Sequence, residues 1–205
     1  MKQKAIIISA DELKKTIRGY TPEQAEKFHS TSAHLADQQF SKTLDETSYK
    51  KVILLSGGSA SGKTEFMLTQ LVGKRAIIVD TTLPTIEGAK IKINKAIKAK
   101  KKIEVYSVMP DNLSRAFIAF LHRDRVFSED HFYRTHSESR TTLLWIAENY
   151  RDVKIHLIES TYTSAKNMSF SEITFTKKLE LLEYLKNIQL SQDAIIDQVV
   201  KLIGK

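Results

Sequence analysis

The sequence predicts an α/β protein: a three-layer domain with a mainly parallel five-stranded sheet and an arginine-rich helical lid. Three observations predict it. Five short apolar runs, at residues 5–8, 52–55, 76–79, 103–109 and 154–158, have the length and continuity of strands buried on both faces. Helix-compatible sequence separates each run from the next, as parallel strands require. The second run leads directly into a glycine-rich stretch, residues 57–64, and then into a helix-compatible segment from Glu65 to Val72.

In chain order, residues 11–19 and 22–45 read as helical, with Pro22 at a first helical position after Thr21. Residues 86–100 form the crossover after the third strand, and 111–150 a long, polar helical stretch. Residues 176–205 read as two amphipathic helices with Thr176 and Ser191 as N-caps. Leu179, Leu182 and Leu185 share a face of the first, expected to pack on the sheet or to meet a partner. With no repeat or linker, the chain reads as one domain: an amino-terminal segment 1–48, a core 49–110, a lid 111–150 and the terminal helices 176–205.

Composition narrows the classes. At 41% hydrophobic and 27% charged, the 205 residues can bury a core. The absence of cysteine excludes disulfides and thiolate metal sites. The apolar runs are too short for a secretion signal or a membrane span, so a cytoplasmic protein with no membrane partner is expected. The net charge of +8 suits an anionic ligand. Much of it lies between Lys90 and Lys102, where no aromatic residue is interleaved, so a solvated helix face is favoured over a nucleic-acid groove.

Residues 57–64 carry the strongest signal. Gly57, Gly62, Lys63 and Thr64 fill the spacing G-x-x-x-x-G-K-[ST], with Gly58, Ser59, Ala60 and Ser61 between. Small residues let backbone N–H groups close around a polyphosphate. Lys63 then reaches the outer phosphates and the Thr64 hydroxyl ligates Mg²⁺, so a nucleoside triphosphate and Mg²⁺ are the expected ligands. Other residues limit the class. No guanine-reading Asn-Lys-x-Asp is present, since Asn94-Lys95 is followed at the Asp position by Ile97. The strand Ile77–Asp80, whose terminal acid is a candidate metal ligand, is followed by Thr81 and not by a water-activating Glu. Transfer to another acceptor is therefore favoured over hydrolysis. Asp11, just past the first strand, is a candidate general base and equally fits a first-turn helix acid. Arg115, Arg123, Arg125, Arg134 and Arg140 could present cations to a γ-phosphate, though each alone also fits a surface ion-pair partner.

On these residues the chain resembles the zeta-toxin family of P-loop kinases, which phosphorylate UDP-N-acetylglucosamine. Asp80-Thr81-Thr82-Leu83 is similar to the family's acidic-Gly-Thr-Leu element. Arg123 and Arg134-Thr135 resemble its two lid arginines. Residues 5–14 are similar to the family's base-bearing strand, and His29-Ser30-Thr31-Ser32 to its His-Glu-Ser-Ser helix, without the Glu. In the family those elements follow the phosphate-loop helix; here they precede it, so the resemblance implies a circular permutation. Thr81 replaces a Gly, and Pro84 a frequent Arg, where the acceptor should bind.

The resemblance implies a P-loop kinase that transfers the γ-phosphate of ATP to a hydroxyl of a nucleotide sugar or related small molecule. It implies Asp11, Lys63, Arg123 and Arg134 as catalytic, and Thr64 and Asp80 as metal-binding. Asp80, Thr82, His29 and Ser32 would meet the phosphoacceptor. A protein antitoxin is an implied partner. Two other readings stand beside it: a kinase of nucleic-acid ends, and a non-catalytic nucleotide-binding module whose terminal helices engage a partner.

Overall fold

Each of the five apolar runs forms a strand, and all join one sheet. In the computed structural model residues 4–163 and 167–203 are described; residues 1–3 of the amino-terminal segment and 204–205 of the tail lie outside them. β1 (Ile6–Ser9), β2 (Lys51–Ser56), β3 (Ile77–Asp80), β4 (Lys102–Pro110) and β5 (Lys154–Tyr162) are parallel, in the order β1-β3-β2-β4-β5. A sixth strand, β6 (Met168–Ile173), pairs antiparallel with β5 at the far edge, so the sheet has six strands and not five. β1 occupies the opposite edge beside β3, with Ser9 in register with Asp80.

Both faces of the central strands are covered, which explains their unbroken apolar sequence. Successive side chains point to opposite faces. Val52 and Leu54, with Val79 and Val105, pack on one face against Phe40 of α2 (His29–Glu46), Ile93 of α4 (Ile86–Lys98) and Leu143 of α6 (Glu129–Asn149). Ile53 and Leu55, with Ile78 and Val108, pack on the other against Phe66, Met67 and Leu71. Phe66 ends the short helix α3 (Lys63–Phe66), which continues as a π-helical turn over Met67–Leu71.

The helical expectations hold in part. The amino-terminal helix is shorter than predicted: α1 (Ala10–Lys14) stops early, Gly19 takes a positive φ of 82°, and Pro22–Gln24 is a separate 3₁₀ turn. The lid segment divides into α5 (Leu113–Leu121) and α6, and the tail into α7 (Lys178–Asn187) and α8 (Gln192–Ile203). Ser191 caps α8 by accepting from the Ala194 N–H at 3.1 Å. Thr176 is not the N-cap of α7, a position held by Lys177, but its hydroxyl and N–H bind Glu180. Leu185 enters the sheet core and Leu182 packs against it, whereas Leu179 faces outward at 64% exposure. α8 does not pack on the sheet. Its Ile195 and Val199 join Phe117, Phe120 and Phe132 in a satellite core under the lid helices. No described helix is long and apolar enough to cross a membrane.

The lysine-rich face of α4 is partly engaged within the molecule. Lys92 pairs with Asp37 at 2.7 Å, Lys95 donates to Ser41 Oγ at 2.8 Å, and Lys101 donates to Thr47 O at 2.8 Å. The Lys92 and Lys95 bonds tie α4 to α2, and the Lys92–Asp37 pair offsets one of the charges that would meet a polyanion.

Candidate functional site

Parallel pairing gathers the carboxyl ends of β1, β3, β2 and β4 at one edge, the usual place for a ligand in such sheets. A cavity of about 670 Å³ opens there. Its floor is the glycine-rich loop that leaves β2.

The loop needs its glycines. Gly57 adopts φ 127° and Gly62 φ 84°, and a Cβ on Gly57 would lie 2.1 Å from Val108 O. Ala60, without that licence, is also at positive φ (57°), as is Leu83 (47°) after β3. Such strain persists only where the surroundings over-determine it. Here several distant segments hold the loop. Thr135 Oγ1 accepts from Ser59 N–H at 3.1 Å, and His136 Nε2 lies 2.8 Å from Ser59 O. The Tyr162 hydroxyl donates to Ala60 O at 2.6 Å and Ser160 Oγ to Ser61 O at 2.8 Å. His136 lies directly over Gly58, and Met168 of β6 over Gly62.

Lys63 lies inside the loop it follows. Its Nζ donates to Gly57 O at 2.9 Å and Gly58 O at 2.7 Å, with Ser61 Oγ at 3.4 Å. Burial lowers its pKa to about 8, against the opposing pull of Asp80. Thr64 follows, exposed, on the cavity wall. Asp80 closes β3; its Oδ2 accepts from Ser9 Oγ at 3.3 Å, and burial raises its carboxyl pKa although Lys63 works against this.

The amino-terminal segment supplies the opposite wall. Asp11, two residues beyond Ser9, lines the cavity and pairs with Arg125 and, at 3.3 Å, with Lys14. Burial pushes its carboxyl up, but these two cations outweigh burial and hold it below the ordinary carboxylate value. Arg123 also lines the cavity, its pKa lowered first by burial and then by neighbouring Arg125. His29, Phe127 and His131 form an aromatic wall, with ring centroids 4.4–5.8 Å apart. Burial draws the pKa of His131 down to about 4.

The expected residues therefore divide. Asp11, His29, Lys63, Thr64, Asp80, Thr82 and Arg123 all line this cavity, as do loop residues 59–62. Arg134 does not: it is exposed on α6. Ser32 is fully buried, its hydroxyl donating to His29 O at 2.9 Å within α2, and it does not reach the cavity. Sequence reasoning passed over three groups. Lys14 was legible as the i,i+3 partner of Asp11. Arg125, counted only among the lid arginines, is the one that reaches Asp11. The braces Thr135, His136, Ser160 and Tyr162 had no local signal.

Fold and site together define an α/β protein in which a braced glycine-rich loop faces an acid and two arginines across one cleft. The chain matches no protein-family model, and no curated protein is significantly similar to it.

Proposed function

We propose that the chain is an ATP-dependent kinase of the zeta-toxin type, circularly permuted, acting on a hydroxyl of a nucleotide sugar or related small molecule. One observation carries the reading: Asp11 and Arg123, far apart in sequence, line the same cavity as the Lys63 loop. Its volume of about 670 Å³ is within the range of sites that enclose a small molecule.

The chain's own groups have these roles. Lys63 and the loop N–H groups hold the phosphates. The Thr64 hydroxyl and the Asp80 carboxylate are oxygen donors lining the same cavity, the kind of donor a hard divalent cation prefers, so they fit Mg²⁺. The ion, when bound, would offset phosphate charge. Asp11, held ionised by Arg125 and Lys14, accepts the proton of the acceptor hydroxyl. Arg123 faces the migrating phosphoryl group. Arg125, rather than exposed Arg134, is the second lid cation, and it must release Asp11 for the base to act. Thr82 and His29 line the acceptor's side of the cleft. The protein is expected in the cytoplasm; an inhibitory protein partner is in keeping with the family.

The test is incubation with γ-labelled ATP and a metabolite extract, followed by mass identification of the labelled compound. Lys63→Ala and Asp11→Asn should both abolish labelling, while Asp11→Asn keeps nucleotide affinity. Near-normal turnover by Asp11→Asn would remove the proposed base.

A further inference from the structure

A second cavity, of about 240 Å³, lies away from the loop, between the end of β4, helix α6 and the terminal helices α7 and α8. Arg140 of α6 lines it and is only 7% exposed. Its Nη1 donates to His136 O at 2.6 Å, but its Nε is sealed from solvent with no hydrogen-bond partner. Among the described residues it forms no ion pair. Burial pulls its pKa down to about 10, opposed among the described residues by the Tyr184 phenol. A buried guanidinium without a counter-ion is expensive to maintain; the sealed Nε is out of a ligand's reach, but an anion in the cavity would offset the charge of the group as a whole.

The other walls say which anion. Met109, Leu113, Ile188 and Leu190 are apolar, so the ligand has an aliphatic body. Asp111 and Glu159, both exposed, stand at the rim. Two acids there disfavour a dianion such as phosphate and favour a ligand that also carries a cation. The volume falls below the ~300–1,000 Å³ of sites for drug-sized molecules, which excludes a nucleotide.

We propose that this cavity is a second ligand site, specific for a free aliphatic α-amino acid. The carboxylate would meet Arg140, the ammonium the rim acids, and the side chain the apolar walls. The same carboxylate and side chain also occur at the end of a polypeptide, where the ammonium is replaced by an amide. The site does not depend on the kinase reading: none of these residues lines the first cavity.

The experiment titrates the full chain with leucine, N-acetylleucine and isoamylamine, followed by ligand-detected NMR and calorimetry. Leucine should bind saturably, and the other two at least about tenfold more weakly, since each lacks one charged contact. Arg140→Met should lose leucine binding. Leu190→Trp, which fills the cavity from an apolar wall and leaves Arg140 in place, should lose it too and keeps the test intact if Arg140→Met misfolds. No saturable leucine binding, binding unchanged in Leu190→Trp, or N-acetylleucine binding as well as leucine would each overturn the proposal.

Discussion

Raising the pH should weaken nucleotide binding through Lys63. In the free protein Lys63 is buried, with 8% of the residue exposed, and burial sets its pKa at about 8. A bound polyphosphate favours the charged form, so the pKa in the complex is higher and binding takes up a proton between the two values. At pH 7 about nine molecules in ten are already charged; at pH 9 about one in ten is. Recharging the remainder costs about 1.4 kcal/mol, so Kd should rise about tenfold from pH 7 to 9. Phosphate groups themselves have finished ionising by then, their last pKa being about 6. Titration with a fluorescent ATP analogue at pH 7, 8 and 9 reads the slope, and calorimetry in buffers of different ionisation enthalpy reads the proton. Lys63→Arg keeps its charge across this range and should give a flat profile. A wild-type Kd that stays constant from pH 7 to 9, or an equal slope in Lys63→Arg, would refute the reasoning.

Other perturbations test the framework. Asp11→Asn should destabilise the fold at neutral pH, because it leaves fully buried Lys14 without its carboxylate. The folded pKa of Asp11 is depressed, so its contribution is present above the ordinary carboxylate value and is lost as pH falls through the lower folded value. Urea melts of the two proteins should converge there; a constant gap in acid would contradict this. Gly58→Ala would place a Cβ 2.2 Å from the His136 ring and should cost about 1–3 kcal/mol. Adding His136→Ala should recover part of that loss, and strict additivity of the two in thermal melts would argue against the contact. Phe40→Ala, at 1% exposure in the sheet core, should cost about 3–5 kcal/mol, seen as a lower urea midpoint with an unchanged m-value.

The strands β1, β2 and β3 were legible because buried strands are written as unbroken apolar runs, and β4 and β5 because their runs stay mainly apolar around Glu104, Ser107 and His156. β6 was missed although Met168-Ser169-Phe170-Ser171 alternates as a half-buried strand should. Its exposed polar residues, which leave no continuous apolar run, and the absence of a parallel crossover hid it. The loop was legible because its spacing is local and its glycines are demanded by positive φ. The cleft around it was not. Arg134 and Arg125 look alike in sequence, and only the turn between α5 and α6 decides that Arg125 meets Asp11. Ser32 fits an acceptor-binding pattern, yet its register on α2 turns it into the core. The π-helical turn after α3 has no sequence signature, because the backbone pays for it through packing of Met67 and Leu71.

The braces on the glycine-rich loop have a consequence for dissecting this protein. The motif occupies one short stretch, but Thr135, His136, Ser160 and Tyr162 all arrive from more than seventy residues downstream. A fragment ending after β4 would contain every motif residue and still lack the clamps that keep Ala60 in its left-handed conformation. The signature is contiguous; its rigidity is borrowed from the other half of the chain.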